Sequence, residues 1–444
     1  MARSTTKAIE KGGVVGAGGG GFPSHVKAQG KADVLLANGA ECEPLLRADG
    51  ELMKAAPELV VRGISLVGEA VGATRTVLAV KPENEAAVRK ALPDDGSVEL
   101  LVLDDVFPAG DEYLLVYEAT GRVVPESGIP LDVGVVVNNV TTLAQVAEAA
   151  DGRPVTRRMV TVQGEVRTPG TFVVPIGTPA RSVLELADWD GDARTRVLMG
   201  GPMMGRLAVD LDEPTTKTLG GLIVLPDDHV LVSGRSAPSS AALRLARAAC
   251  CQCLACTELC PRALLGHDLA PHRTMRAVQY DTLDVDHAHI TSAFLCCECG
   301  MCELFACPLG IQPRRILADL KAELVRRGVP NPHLRNDVSP DDVREYRQIP
   351  TSRLVSRLGL TDYDVPAPLS DARPDPDRVV VLLKQHVGAP AVAVVAQGED
   401  VLEGDLLGEI PEGKLGARVH ASLSGVVSAV STEAVTIERG GKIA

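Results

Sequence analysis

A multidomain chain joining α/β and α+β modules is predicted by three observations. Strand-like and helix-like patterns alternate from residue 34 to residue 150; a β-rich stretch broken by Gly and Pro follows; and ten of the eleven cysteines crowd into two short runs within a helical region. Alternation of the first kind indicates a parallel sheet with covering helices, because parallel strands need crossover connections. At 444 residues the chain exceeds one average domain, and three or four are expected.

Five segments follow. In 1–153, Val34 to Ala37, Thr76 to Val80 and Val98 to Leu103 read as strands, with helices at Glu51 to Gly72 and Glu83 to Leu92 between them. Asp111 to Thr120 and Asn139 to Ala150 read as further helices. The character changes after Asp151-Gly152-Arg153-Pro154, and 154–237 reads as a small α+β module. Its strands are expected at Arg158 to Val162, Thr171 to Val174 and Gly221 to Leu225, with one helix at Pro179 to Ala187. The third segment, 238–328, is helical around the cysteine runs, from Ser240 to Ala249 before them and from Pro313 to Arg327 after them. The polar, proline-bearing stretch 329–377 is expected to act as a linker. Short Val-rich strands with Gly and Pro turns mark 378–444 as a compact β module.

The first cysteine run reads Cys250-x2-Cys253-x2-Cys256-x3-Cys260-Pro261, the bacterial ferredoxin spacing for an iron–sulfur cluster. The second reads Cys296-x2-Cys299-x2-Cys302-x4-Cys307-Pro308, one residue longer before its last cysteine. Three thiolates two residues apart wrap one face of a compact cubane, since the short turns bring each sulfur to a common centre and offer N–H groups to the sulfides. The fourth ligand comes from elsewhere: in two-cluster ferredoxins the Cys-Pro cysteine serves the other cluster. Cys250, Cys253, Cys256 and Cys307 are therefore assigned to one 4Fe-4S centre, and Cys260, Cys296, Cys299 and Cys302 to the second.

Structural zinc fits less well, because it uses two separated ligand pairs, often with histidine. Disulfides also fit less well, since the polar stretch from Met1 to Gly13 has no signal-peptide core and the cysteines cluster in one region. Ligation by Cys251 would break the repeat, so Cys251 and Cys297 are read as neighbours of the clusters. His267 and His272, between the runs, are read as helix-packing residues.

Composition narrows the class. Aromatic residues are only 2% of the chain, so cores must come from Val, Leu and Ala. A net charge of -13 argues against a nucleic-acid partner, which needs clustered cations. No apolar run reaches the ~18 residues of a spanning helix, and the expected location is cytoplasmic or peripheral to a docking partner.

Near the start, Val14 to Pro23 holds a G-x-G-x-x-G at Gly16, Gly18 and Gly21. A Rossmann fingerprint needs a strand before it and a helix after it. The preceding residues are too short and polar for a buried strand, although Glu41 lies at the spacing of a ribose-binding acid. The loop reads instead as a phosphate and ring cradle of another kind, whose bare glycines let N–H groups approach an anion. A flexible linker is the alternative. Clusters pass single electrons while nicotinamides deliver hydride, so a chain with both a nucleotide-like loop and clusters requires a flavin between them.

The run Gly16-Ala17-Gly18-Gly19-Gly20-Gly21-Phe22-Pro23-Ser24-His25-Val26-Lys27 resembles the flavin mononucleotide (FMN) and NADH loop of the NADH-binding subunit of respiratory complex I and of its relative RnfC. Asn38-Gly39-Ala40-Glu41-Cys42-Glu43-Pro44 and Val137-Asn138-Asn139-Val140-Thr141-Thr142-Leu143 resemble the next two motifs, and Gly110-Asp111-Glu112 stands where complex I has Gly-Glu-Glu. The order of parts, ending in Gln385 to Pro390 and His420 to Val427, resembles the PduS family of cobalamin reductases. RnfC carries the equivalent last domain near its N-terminus.

The resemblance implies an FMN and NADH domain, a β-grasp (SLBB-like) module, a two-cluster ferredoxin module and a C-terminal barrel-sandwich hybrid domain. It implies that Gly16, Gly18, Gly19 and Gly21 pack on FMN, with Lys27 near its phosphate or the dinucleotide. Phe22 would stack on NADH and Glu43 would meet its ribose. Asn38, Asn138, Asn139 and Thr142 would hold FMN, with Glu41, Gly110 and Glu112 completing the cofactor-binding set. Ala40 and Gly20 depart from the Asp and Ala of complex I, and the phenylalanines that sandwich adenine there have no match. Cys42, replacing a glycine, reads as a small buried thiol near the flavin.

The implied activity is an NADH-dependent oxidoreductase passing electrons through FMN and two 4Fe-4S clusters to an acceptor, with no side chain needed as catalytic acid or base. The implied acceptor is cob(III)alamin or cob(II)alamin, within a bacterial microcompartment, with a shell protein or an adenosyltransferase as further partner. No Asp-x-His-x-x-Gly corrinoid signature is present, so corrinoid contact would be transient or supplied by a partner. Two alternatives stay open: an RnfC-like peripheral subunit of a membrane electron-transport complex, and a non-catalytic scaffold or ligand-sensing protein.

Overall fold

The computed structural model describes residues 2–280 and 287–440. Positions 1, 281–286 and 441–444, which belong to the first, third and last expected segments, lie outside the described residues.

The first module is built on a four-stranded parallel sheet in the order Glu99–Val102, Arg75–Val80, Val34–Gly39, Val135–Asn139. Val34 to Ala37 are buried on both faces, as in a parallel sheet covered by helices on each side. Helices Pro57–Val71 and Val140–Ala150 cover one face through Ile64, Leu143 and Val146, and helix Glu112–Thr120 covers the other through Leu115 and Val116. A Cβ on Gly63 would stand 2.0 Å from the Leu143 carbonyl oxygen, so the two helices on the first face cross almost backbone to backbone.

The single helix expected at Glu51 to Gly72 is two helices, Ala48–Ala55 and Pro57–Val71. Pro57 has no N–H to continue the first and takes the opening turn of the second. The carboxyl ends of Val34–Gly39 and Val135–Asn139 carry Asn38 and Asn139 to the crevice, where open α/β sheets bind ligands.

A second sheet runs Gly170–Pro175, Arg157–Gly164, Gly221–Pro226, Thr195–Met199, Arg206–Leu207. Gly221–Pro226 and Arg157–Gly164 are parallel and the other pairs antiparallel. Helix Ala180–Glu185 packs Val183 and Leu184 against Val160, Phe172 and Leu222. The strands Thr195–Met199 and Arg206–Leu207 carry no clear sequence pattern, because arginines at 194, 196 and 206 and the Gly200-Gly201-Pro202 turn interrupt it.

Helices Ser239–Ala249, Pro271–Gln279 and Pro313–Arg326 pack around the cysteine runs through Ala242, Ala246, Met275, Val278 and Ile316. The stretch 329–377 does more than link. Ile349–Pro350 pairs antiparallel with Val106–Phe107, and helix Thr351–Arg357 buries Leu354 and Val355 beside Phe107, Leu198, Ile223 and Met301. Its few apolar residues, dispersed among charges, thus staple three modules together.

The last module has two small sheets. One joins Arg378–Leu382, Ala434–Glu438, Gly425–Val430 and Asp400–Val401; the other joins Val392–Ala393, Leu406–Glu409 and Val419–His420. Its core of Val379, Val381, Leu407, Val427 and Ile437 continues into that of the first module through Val155 and Ile176. Among the described residues, no helix is long and apolar enough to cross a membrane.

Candidate cofactor cleft and cysteine cavities

A cleft of about 560 Å³ opens between the first module and the five-stranded module, within the range of roughly 300–1,000 Å³ for small-molecule sites. Its first wall is the glycine loop with Asn38 and Asn139. The loop is closed, not a free linker: the Gly16 N–H donates to Phe22 O at 2.9 Å and the Gly21 N–H to Gly16 O at 3.0 Å. The Ala17 N–H donates to Thr142 Oγ1 at 2.8 Å. Asn139 Oδ1 accepts the Thr141 N–H at 2.9 Å, capping helix Val140–Ala150, while Nδ2 donates to Asp49 at 2.6 Å. A Cβ at Gly19 or Gly20 would meet no atom of the described residues within 4 Å, so these glycines border open space.

The opposite wall comes from the five-stranded module, including Gly200, Gly201, Arg206, Thr216 and Thr218. Sequence reasoning missed this half. It also missed Arg158, which is 4% exposed and donates from Nε to Leu219 O and from Nη2 to Ala17 O, both at 2.9 Å. Among the described residues its Nη1 has no partner. Burial pulls its pKa down, against the opposing charges of Asp49 and Glu41. A buried guanidinium with a spare donor, beside bare glycine N–H groups, suits an anionic group such as a phosphate. Asn138 Oδ1, one residue before the cleft-lining Asn139, is likewise buried and unpartnered. These residues fit a flavin nucleotide.

Two expected dinucleotide acids line the cleft, but both have their oxygens engaged. Glu41, at φ +37, accepts the N–H groups of Asp49 at 2.7 Å and Gly50 at 2.9 Å, at the start of helix Ala48–Ala55. Burial and then the Asp49 charge push its carboxyl up to about 8. Glu43 accepts the N–H groups of Met203 at 2.9 Å and Met204 at 2.8 Å, and burial pushes its pKa up. Glu43, expected to meet a ribose, stands in the cleft lining, and its carboxylate also ties down the loop 200–205, a partner distant in sequence.

Gly110 completes the cleft, and a Cβ there would come 3.2 Å from Cys42 Sγ. Asn38 Nδ2 donates to Gly110 O at 2.9 Å. Cys42 is half-buried in the cleft lining, and desolvation pushes its thiol up to about 11, which suits an unreactive thiol.

Gly16, Gly21, Phe22, Lys27, Glu112, Asn138 and Thr142 lie outside the cleft lining. Gly16, Gly21 and Thr142 shape the loop; Lys27, Phe22 and Glu112 are engaged with each other. Lys27 Nζ donates to Glu112 at 3.1 Å and to Val137 O at 3.0 Å, and sits 6.0 Å from the Phe22 ring centre. The Val387 N–H donates to Gly21 O at 2.9 Å, so the last module backs the glycine loop.

The ten clustered cysteines sort into two cavities. One is lined by Cys250, Cys253, Cys256 and Cys307, with Cys251; the other by Cys260, Cys296, Cys299 and Cys302, with Cys297. The Cys-Pro cysteine of each run thus stands with the other run's triplet. In both runs the second and fourth residues after the first cysteine are left-handed: Gln252 at φ +55 and Leu254 at +68, Glu298 at +60 and Gly300 at +82. Such turns direct N–H groups into anion-binding nests, which fits sulfide-bearing clusters.

The unequal tails are reconciled locally. Where the first run has the short helix Ala255–Glu258, the second has a π-helix, Met301–Ala306. Its wider turn absorbs the extra residue before Cys307. His272 lines the first cavity and hydrogen-bonds Thr257 at 2.7 Å; His267 is buried against Val124 O at 2.9 Å.

The cavities differ in position. Cys251 and Cys253 are exposed, whereas Cys260, Cys296 and Cys302 are buried. The buried cavity connects to the cleft twice. Arg262, two residues after Cys260, donates to both oxygens of Asp111, the neighbour of Gly110, at 2.7 and 2.9 Å. A Cβ on Gly300 would stand 3.2 Å from the carbonyl oxygen of Met203, the residue held by Glu43.

A nucleotide cleft joined to paired cysteine cavities defines a flavin and iron–sulfur electron-transfer protein. The family model described as the Nuo51 FMN-binding domain matches residues 9–148, a 4Fe-4S dicluster domain matches 249–312, and the RnfC barrel sandwich hybrid domain matches 367–442. Over 442 residues the chain is 43% identical to the cobalamin reductase PduS of Citrobacter freundii, covering 99% of this chain and 97% of that one. It is 45% identical over 436 residues to PduS of Salmonella typhimurium, covering 97% and 96%.

A more distant relative is a component of the Na+-translocating ferredoxin:NAD+ oxidoreductase complex of Acetobacterium woodii, 34% identical over 275 residues, or 60% of this chain and 59% of that one. Among solved structures, an NAD+-reducing nickel–iron hydrogenase in its H2-reduced state aligns with a TM-score of 0.50 at 21% identity, covering 76% of this chain and 69% of that one. This likeness bears on the fold alone. The chain belongs to the PduS cobalamin reductase family, as an oxidoreductase with FMN-binding and 4Fe-4S dicluster domains.

Proposed function

We propose that this protein reduces cobalamin with electrons from NADH, along a path from the cleft to the buried cysteine cavity, then to the exposed one. The observation that carries the reading is the double connection of the cleft to the buried cavity, through Asp111–Arg262 and Met203–Gly300, while Cys253 of the other cavity faces solvent.

The bound groups supply conversion of a two-electron hydride transfer into single-electron steps, and carriage of those electrons. The chain positions and insulates them. Gly18, Gly19, Gly20, Asn38, Asn139 and Gly110 would hold FMN, with Arg158 directed to an anionic group. Cys250, Cys253, Cys256 and Cys307 would ligate one 4Fe-4S cluster, and Cys260, Cys296, Cys299 and Cys302 the other. Gly16, Gly21 and Thr142 act by shaping the loop, and Glu41 and Glu43 by fixing the cleft's walls.

The segments 1–153, 154–237, 238–328, 329–377 and 378–444 describe the modules, with 329–377 as a packed staple. For 154–237 a β-grasp assignment is supported by the strand order 2-1-5-3-4, counted within the module, with helix Ala180–Glu185 packed on the sheet. Family membership supports a corrinoid acceptor and, with it, placement in a bacterial microcompartment beside a shell protein or adenosyltransferase. The Acetobacterium relative favours a second reading, a peripheral subunit of a membrane complex, but over only 60% of the chain.

The test is NADH-dependent reduction of cob(III)alamin under anaerobic conditions, followed at the corrinoid absorbance bands. Reduction is expected with the intact protein and lost in Cys299→Ser. Undiminished reduction by that variant would detach cobalamin from the path.

A further inference from the structure

We propose that Arg262 is a positioning residue that raises the reduction potential of the cluster held by Cys260, Cys296, Cys299 and Cys302, and that Asp111 sets the size of the effect. The proposal rests on the reading of those cysteines as ligands.

Arg262 is 7% exposed and lies in the first turn of helix Pro261–Leu264, which begins directly after Cys260. Its guanidinium is clamped on two sides. Both terminal nitrogens donate to Asp111, at 2.7 and 2.9 Å, and its central carbon lies 3.7 Å from the Tyr113 ring centre. Tyr113 is fixed in turn, donating its hydroxyl to Gly128 O at 2.5 Å and meeting His267 edge-on at 5.6 Å between ring centres. The charge therefore has one place to be.

A buried ion pair is weak evidence for stability, since desolvation offsets the attraction, so its position beside a cluster ligand points to a role in the redox chemistry. Asp111 does not simply cancel the cation. One of its oxygens also accepts the N–H groups of Tyr113 at 3.1 Å and Leu114 at 3.3 Å as the cap of helix Glu112–Thr120, which spreads its negative charge over the helix end. Cys297 and Arg314 line the cavity itself, and Arg262 directly follows its lining residue Pro261.

Reduction of a thiolate-ligated cluster adds one electron and one negative charge, with no bond made or broken; the electron arrives from the flavin side. A fixed cation in a low-dielectric interior favours the more negative state. Among the described residues, no lysine or arginine lines the exposed cavity, so the effect of Arg262 should fall on one cluster.

The experiment is mediated potentiometric titration of the holoprotein, read by electron paramagnetic resonance with a chemical reductant, which needs neither NADH nor cobalamin. Iron and sulfide are counted first. For Arg262→Gln, one cluster is expected to become at least tenfold harder to reduce, ~59 mV for one electron, while the other stays in place. Arg262→Lys should restore most of the shift, and Asp111→Asn should move the same cluster the opposite way. If Arg262→Gln does not retain both clusters, Arg262→Lys and Asp111→Asn decide. Unchanged potentials in Asp111→Asn, equal shifts in both clusters, or an Arg262→Lys shift as large as that of Arg262→Gln would each overturn the proposal. Fewer than two clusters in the unaltered protein would instead remove the ligand reading beneath it.

Discussion

Glu43 and Met203, 160 positions apart, are joined by a 2.9 Å hydrogen bond from the Met203 N–H to Glu43 Oε2, and the Met204 N–H donates to the other oxygen at 2.8 Å. A Cβ on Gly201 would fall 2.3 Å from the same carboxylate, so the loop lies directly on it. One acid thus fixes the wall that the second module contributes to the cleft.

Glu43→Gln keeps the shape but turns an NH2 group toward an N–H that had an acceptor. Leaving a fully buried donor unpaired costs about 1–3 kcal/mol, and a part-buried Met203 bond with an exposed Met204 bond places the loss at about 1 kcal/mol. Urea unfolding of the cofactor-free protein should show a loss of that size, with faster proteolysis in 200–205. Unchanged stability and protection would mean that the carboxylate does not anchor the loop.

Gly20 tests the cradle, because a Cβ there meets no atom of the described residues within 4 Å. Gly20→Val should leave the stability of the cofactor-free protein within about 0.5 kcal/mol and lower FMN affinity at least tenfold, by fluorescence titration. Equal FMN affinity would move the flavin away from this loop.

The crossed cysteine sets make a pairwise prediction. Cys307→Ser and Cys253→Ser should lose the same paramagnetic signal, and Cys260→Ser and Cys299→Ser the other. Loss of one signal by both Cys253→Ser and Cys260→Ser would mean that each run closes on itself.

Lys217 gives a pH signature. It is 2% exposed, and its Nζ donates to Gly13 O at 2.6 Å and Arg418 O at 2.7 Å, where three modules meet. Burial lowers its ammonium from 10.5 to about 7. Below the lowered value both folded and unfolded chains carry the charge, and its burial opposes folding in full. Between the two values the unfolded chain holds a proton that the folded chain has released, so this group makes stability rise with pH. Denaturant unfolding from about pH 7 to about pH 10 should show that rise in the unaltered protein and a smaller one in Lys217→Met. Parallel profiles would place the charge in solvent.

What is legible in the sequence is local. The Cys-Pro endings and triplet spacing indicate the crossed sets, and the alternation from Val34 to Leu103 indicates the parallel sheet. The helix expected to run through Pro57 is two, and the proline itself carries the signal for the break. The far wall is not legible, because Gly201 and Thr218 reach the cleft only through packing between modules. Arg158 offers one signal, an arginine at the head of its strand in alternation with the buried Val160 and Val162. The staple at Ile349 to Leu360 is hidden because its apolar residues pair with strands distant in sequence.

The proposed path runs unbroken from NADH through FMN and two clusters. Its most direct test is anaerobic NADH titration of the purified protein, with flavin, iron and sulfide counted beforehand. Such a path requires about one FMN and two 4Fe-4S clusters per chain, bleaching of the flavin band by NADH, and reduced-cluster signals that follow. A protein without flavin, with one cluster, or with flavin that NADH does not bleach would contradict it.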